Sequence, residues 1–346
     1  MTKLLATIRD EEQLDDLLSQ PSPELVELMK RLDGDIIILG IAGKIGVSLG
    51  RCALNAIRQA GVRKRVCGVA RFSTPGSREK IESYGIETIA CDLLDRDAVA
   101  ALPQMENVIY MAGRKFGTDG REDLTWMMNT VVADNVTRHF RDSRIVAFST
   151  GCVYPLVTAA TGGCDEDVPP DPVGEYAQSC LGRERIFQYA ALTYGTKVTL
   201  FRLNYAIDLR YGVLHDIGRA ILAGEEVDNS VGHFNVIWQG DTNNIALRSL
   251  AMAASPAAIL NVTGPETIAI EDAARALAEQ LGKPLRFRHE RSGDVAYLSN
   301  ASRMISLFGP PTVPLESMIA WQADWLRKGG VSLGKPTHFE VNDGKY

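Results

Sequence analysis

Apolar positions along this chain fall into two patterns. Short runs with little polar interruption, Asp35–Leu39, Arg65–Ala70, Glu87–Ala90, Asn107–Tyr110, Ile145–Phe148 and Lys197–Leu203, read as strands buried on both faces. Elsewhere apolar residues recur at every third or fourth position. That spacing predicts helices over Val47–Ala60, Pro75–Tyr84, Leu124–Phe140, Leu214–Leu222, Thr242–Ala254, Ile270–Leu281 and Leu315–Arg327. Strand–helix alternation of this kind predicts an α/β fold with a doubly wound, mostly parallel sheet of about seven strands, Ile259–Val262 adding one late in the chain. Ahead of the first strand, Ile8, Leu14, Leu17 and Leu18 form one stripe. Ser22-Pro23 then supplies a cap and a first-turn proline for a second stripe, Leu25, Val26, Leu28, Met29 and Leu32. Two short helices packed on the outside of the main fold are expected, a dimerisation arm being the alternative.

Composition narrows the class. Among 346 residues, 45% are hydrophobic and 23% charged, and the net charge of −6 argues against a nucleic-acid surface. No apolar run approaches the roughly 20 residues that span a bilayer, and the N-terminal Met1-Thr2-Lys3 with its acidic sequel does not read as a signal peptide. Cys52, Cys67, Cys91, Cys152, Cys164 and Cys180 lack C-x-x-C spacing, so neither a zinc site nor a disulfide framework is expected. His215, His233, His289 and His338 each stand without a spaced partner, and no metal is expected. A cytoplasmic protein with reduced thiols fits these features.

The first strand runs into Gly40-Ile41-Ala42-Gly43-Lys44-Ile45-Gly46 and then a helix. Between a strand and a helix, such glycines permit a tight turn and close backbone approach, while the helix N-terminus attracts a diphosphate. Gly40, Gly43, Lys44, Ile45 and Gly46 are therefore candidate cofactor contacts. The second strand ends in Ala70-Arg71-Phe72-Ser73, without the carboxylate that takes a ribose 2′-hydroxyl. Arg71 and Ser73 would instead suit a 2′-phosphate, which favours NADP over NAD. After the fourth strand, Arg114-Lys115 could face an anionic substrate or the cofactor phosphates, or simply lie in a solvated loop.

The fifth strand delivers Ser149 and Thr150 to the carboxyl edge of the sheet, where ligands of open α/β sheets bind. Further on, Tyr176 opens a helix with Cys180 four places later on the same face. This pair resembles the Ser/Thr–Tyr–Lys site of the extended short-chain dehydrogenase/reductases, the sugar epimerase/dehydratase superfamily, with Cys180 in place of the lysine. The G-x-x-G-x-x-G spacing is similar to that family's glycine fingerprint. Asp92-Leu93 resembles its adenine-contacting segment, and Met111-Ala112-Gly113 its small-residue turn beneath the nicotinamide ribose. Asn129 and Asn135 match a family helix, Arg202 and Asn204 the end of the sixth strand, and Val236–Asp241 a returning strand.

The resemblance implies a Rossmann-type domain over residues 35–205, a mainly substrate-binding lobe over 206–330 with elements returning to the sheet, and a tail over 331–346, preceded by the helical extension 1–34. It further implies Tyr176 as general acid/base, Thr150 as its hydroxyl partner, and cofactor contacts at Asp92, Leu93, Met111, Ala112, Gly113, Tyr176, Cys180 and Asn204. The substrate expected is carbohydrate-like, with Arg114, Lys115, Thr150, Asn204 and Arg210 as candidate contacts. A homodimer would form through the helices carrying Asn129 and Tyr176.

Cys180 cannot supply a permanent cation, and a phenol near pKa 10 is a poor base at neutral pH without one. Arg114, Lys115 or Arg183 could supply it, Arg183 lying on the Tyr176 face of the helix. The expected function is an NAD(P)-dependent oxidoreductase acting on a sugar or sugar-acid hydroxyl or carbonyl. A nucleotide-sugar epimerase/dehydratase with retained cofactor and a silent cofactor-binding pseudo-enzyme are the alternatives. A chemically active Cys180 thiolate would need a lowered pKa; a small buried apolar residue is the simpler role. Structural anchoring is the competing role for Arg202 and Arg210.

Overall fold

The computed structural model describes residues 4–345. Met1–Lys3 of the expected extension and Tyr346 of the expected tail lie outside the described residues.

Seven parallel strands form the central sheet: β1 (Ile36–Leu39), β2 (Val66–Ala70), β3 (Glu87–Ala90), β4 (Asn107–Tyr110), β5 (Arg144–Thr150), β6 (Lys197–Leu203) and β7 (Ala258–Val262). Their spatial order is β7-β6-β5-β4-β1-β2-β3. The order reverses between β1 and β4, which opens a crevice at the carboxyl edge. Strand alternation explains the wholly apolar β1. Ile36 and Ile38 join one core layer with Leu49, Ala53 and Ile57, whereas Ile37 and Leu39 join the opposite layer with Val132, Val136 and Phe187.

The helix Gly46–Ala60 covers the first face and the helices Val132–His139 and Gly174–Tyr194 cover the second. The expected helix over 124–140 contains a π-helical segment, Met127–Val131, that sequence periodicity did not reveal. One extra residue per turn there brings Asn129 inward, where it is fully buried.

A third core, built on Val213–Ala223, Ile270–Leu281 and Leu315–Arg327, forms the lobe beside the crevice. The N-terminal helices bridge this lobe and the sheet. Leu14 and Leu18 of Glu11–Leu18 enter the lobe core, while Leu25, Leu28 and Met29 of Pro23–Arg31 enter the sheet core. Asp10 and Ser22 cap them, accepting from the Gln13 and Leu25 amides at 2.9 and 3.2 Å. No described helix is long and apolar enough to cross a membrane. Among the described residues no group of histidines, cysteines and carboxylates could hold a metal ion, and all six cysteines are free and buried.

Candidate active site

The glycine turn is shaped by steric need. Gly40 has φ +95°, and a Cβ there would lie 2.9 Å from the Ala112 nitrogen on the next strand's exit; at Gly46 a Cβ would lie 2.4 Å from the Ile41 carbonyl oxygen. Ile45 at the N-cap offers no side-chain hydrogen bond, so the first amides of the following helix stay open to a ligand. A cradle with no room for side chains and with open amides fits the diphosphate of a dinucleotide.

That turn forms one wall of a cavity of about 320 Å3. Gly40, Gly43, Lys44, Ile45, Gly46, Met111, Gly113, Arg114, Lys115, Thr150, Tyr176 and Asn204 all border it, so it gathers most of the residues singled out from sequence. Thr150 ends β5, and its Oγ1 accepts from the Cys152 amide at 3.2 Å. The Tyr176 side chain, near the start of its helix, hydrogen-bonds Thr150. Burial pushes the Tyr176 phenol well above its ordinary range; the neighbouring Cys180 and Cys152 thiols add to the rise, and Arg183 and the Thr150 bond oppose it.

Cys180 lies behind Tyr176, fully buried and off the cavity wall. Burial raises its thiol, while Arg183 and a hydrogen bond with Tyr176 work the other way. Arg183 Nη2 donates to Cys180 Sγ at 3.2 Å and Nη1 to the Ala112 carbonyl at 3.3 Å. Gly113 makes room for this guanidinium, since a Cβ there would be 2.6 Å from Nη1. Asn129 braces the same corner. Its Oδ1 accepts from the Arg114 amide at 2.9 Å, and its Nδ2 donates to the Arg114 carbonyl at 3.0 Å and to Ser179 Oγ at 2.9 Å.

Lys44 projects between aromatic faces, its Nζ 3.4 Å from the Tyr211 ring centroid and 4.5 Å from that of Phe116. Burial, together with the Lys335 and Lys115 charges, pushes its ammonium down to about 7. Lys115 Nζ sits 5.8 Å from the Tyr176 ring centroid and donates to the Thr337 carbonyl at 3.2 Å; burial lowers its pKa too. Thr337 belongs to the segment read from sequence only as a tail. It lines the cavity, and its amide and hydroxyl both donate to Asp216 Oδ2, at 2.7 and 2.6 Å. Gln239 also lines the cavity and was not anticipated. Thr337 lies in no motif, and Gln239 sits inside the Val236–Asp241 segment without being singled out there, so neither was marked as a cavity residue.

Other expected residues fall elsewhere. Arg210, a candidate substrate contact, is tied by ion pairs to Asp208 and Asp15 at 2.9 Å and to Glu11 at 3.4 Å. It borders a second cavity, with Asp15 and Lys335, instead of the one holding Tyr176. Its work here is to clip the N-terminal helix to the lobe. Arg202, matched to the end of the sixth strand, is likewise engaged in a buried ion pair, with Glu184 at 2.7 Å. Asn204 borders the cavity but donates to the Tyr297 carbonyl at 3.1 Å. Asp92 and Leu93 lie beyond the cavity; Asp92 Oδ1 accepts from the Leu94 amide at 3.0 Å, and the Leu93 carbonyl accepts from Asn135 at 3.0 Å. Ala112 is buried behind the wall, and Arg71 is exposed at the end of β2 with no hydrogen bond or ion pair among the described residues.

Residues 36–207 match the model of the NAD dependent epimerase/dehydratase family. Solved structures share the fold. UDP-glucose 4-epimerase from Thermotoga maritima, solved with UDP-glucose, is 18% identical with a TM-score of 0.68, over 85% of this chain and 99% of that one. WbmG of Bordetella bronchiseptica, in complex with NAD and UDP, is 19% identical with a TM-score of 0.72, over 89% and 98%. The dTDP-glucose 4,6-dehydratase DesIV from Streptomyces venezuelae, solved with NAD, is 17% identical with a TM-score of 0.72, over 85% and 97%. No curated protein matches the sequence.

Proposed function

The chain belongs to the NAD-dependent epimerase/dehydratase family, and on that premise we propose that it interconverts a hydroxyl and a carbonyl on a sugar-derived, anionic substrate. The observation that carries this reading is the hydrogen-bonded Thr150–Tyr176 pair facing the glycine turn across one cavity. A nicotinamide dinucleotide seated on Gly40, Gly43, Lys44, Ile45 and Gly46, and flanked by Met111, Ala112 and Gly113, supplies the hydride chemistry when bound. Tyr176 takes or returns the proton of the substrate hydroxyl. Thr150, its Oγ1 already accepting from the Cys152 amide, directs its own proton towards the phenol or the substrate oxygen. Lys44, Arg114 and Lys115 give the cavity a cationic lining, which suits a nucleotide-linked sugar or a sugar acid.

Residues 35–205 hold the dinucleotide in this reading, and 206–330 contribute most of the substrate side. The free Arg71 guanidinium, with no carboxylate at the end of β2, supports NADP as the preferred form, although structural neighbours are solved with NAD. A homodimer through the helices carrying Asn129 and Tyr176 is part of the proposal, because Trp126, Met127, Tyr189 and Leu192 expose large apolar side chains there. Epimerisation with a retained dinucleotide is the second reading, favoured by the Thr337 segment bordering the cavity and tied to Asp216 and Lys115.

The test begins with titration of the purified chain with NAD, NADP and their reduced forms, beside Arg71→Ala. The loaded chain is then incubated with UDP-hexoses, dTDP-hexoses and sugar acids, following nicotinamide absorbance and product by NMR. A net absorbance change marks an oxidoreductase, and product without one marks an epimerase. Tyr176→Phe should lower turnover about 10²–10⁴-fold while still binding dinucleotide. Absence of binding by every form of the cofactor would overturn the catalytic reading, and dinucleotide binding without turnover of any substrate would leave the silent cofactor-binding pseudo-enzyme.

A further inference from the structure

A cation removed from water loses several kcal/mol of solvation, so a buried guanidinium ordinarily has a carboxylate beside it. Arg183 departs from that rule. It is only 6% exposed, and among the described residues its hydrogen bonds go to a thiol and a carbonyl: Cys180 Sγ at 3.2 Å and Ala112 O at 3.3 Å. Its Nε is buried with no partner. The adjacent Glu184 is turned the other way, holding Arg202 through both oxygens at 2.9 and 2.7 Å and accepting from Ser149 Oγ at 2.5 Å. Gly113 leaves the space this side chain fills, and the guanidinium borders the cavity of Thr150 and Tyr176.

The charge is connected to the phenol. Tyr176 has Thr150 on one side and Cys180 on the other, and Cys180 in turn receives Arg183 Nη2 at 3.2 Å. We propose that Arg183, acting through the Cys180 thiol, is the positioning residue that supplies the permanent positive charge which a lysine at position 180 would otherwise bring. This inference rests on the reading of Tyr176 as acid and base.

The geometry accounts for both departures together. A short side chain at 180 leaves a gap on the inner face of the helix, and an arginine one turn later reaches back into it. A guanidinium does not deprotonate, so the charge it brings to this buried corner is permanent. Polarisable sulfur between them carries the field and avoids a direct clash of donors. Other groups facing Tyr176 and Arg183 are Cys152 on the turn after β5, Lys115 after β4, Tyr110 on β4, and Glu184 on the shared helix. Of these Lys115 is the competing cation, and it faces the ring and is tied to the Thr337 carbonyl.

The experiment follows the Tyr176 phenol by NMR of the full chain labelled at the tyrosine ring carbon, with and without NAD, its signal assigned by its loss in Tyr176→Phe. Arg183→Met should move the titration midpoint upward by about one pH unit or more. The double variant Cys180→Lys with Arg183→Met, which returns a cation one turn away, should bring it back. Arg183→Lys, which keeps the charge if the methionine variant does not fold, should shift it less. A midpoint moved by Lys115→Met and not by the Arg183 variants would overturn the proposal. So would pH–rate profiles of the NAD-loaded wild type and Arg183→Met that coincide, the readout that serves when the phenol, pushed up by burial, does not titrate before the chain unfolds. Turnover lost in Tyr176→Phe with an unmoved midpoint in Arg183→Met removes Arg183 alone; turnover unaltered in Tyr176→Phe removes the acid–base reading as well.

Discussion

Glu184 and Arg202 form a two-pronged ion pair sealed behind the end of β5. Nε meets Oε1 at 2.9 Å and Nη2 meets Oε2 at 2.7 Å, with both side chains almost wholly buried. Arg202 Nη1 also donates to the Tyr154 hydroxyl at 2.7 Å, and that hydroxyl donates to Asn261 Oδ1 at 2.9 Å. The pair thus joins the tyrosine helix to β6 directly beneath Ser149 and Thr150. Glu184→Ala leaves the guanidinium uncompensated and should cost about 3–5 kcal/mol in denaturant unfolding. Glu184→Leu combined with Arg202→Met should recover most of that loss, because no charge is then stranded.

Lys44 has a pH signature with a definite sign. Its folded-state pKa is pushed down to about 7 by burial, with the Lys335 and Lys115 charges adding to it. An unfolded lysine titrates near 10.4, so between about 7 and 10.4 the unfolded chain binds the extra proton. Stability of the ligand-free chain should therefore gain a rising contribution across that window, and Lys44→Met should remove it. Anion binding runs the other way. Affinity for NAD should fall as pH rises through about 7, with a flatter profile in Lys44→Met, measured by titration calorimetry on either side of that pH.

Gly40 and Gly61 separate backbone strain from lost space. Both have positive φ, +95° and +67°, but a Cβ at Gly40 meets the Ala112 nitrogen at 2.9 Å, while nothing lies within 4 Å at Gly61. Gly61→Ala should cost about 1 kcal/mol in thermal unfolding and leave NAD binding intact. Gly40→Ala should cost more, about 1–3 kcal/mol, and abolish NAD binding, since the turn must shift away from the β4 exit.

Asp216 holds the C-terminal segment against the cavity through the Thr337 amide and hydroxyl, at 2.7 and 2.6 Å. Asp216→Ala should speed hydrogen exchange at the Thr337 amide about tenfold, the equivalent of one lost hydrogen bond. The Cys164 amide, bonded to the Leu298 carbonyl at 2.9 Å away from that contact, should keep its protection.

Local chemistry accounts for what could be read in advance. The sheet strands and the glycine turn were legible because a buried parallel strand needs an unbroken apolar run, and a tight strand–helix turn needs glycine. Thr150 and Tyr176 were legible for a similar reason: each is fixed by its place at a strand end or a helix start. The π-helical segment around Asn129 carries no separate apolar period, and so the expected helix ran straight through it.

The sequence by itself determined the doubly wound sheet, the turn and the pair of hydroxyls, because each depends on neighbours within a few residues. Tertiary structure alone decided the fate of the cations. Arg210 and Arg202 met carboxylates and became anchors, Lys44 and Lys115 turned into the cavity, and Arg183 was buried against Cys180. A long charged side chain takes its role from whatever lies within about 4 Å of its tip, and residues distant in sequence supply those partners.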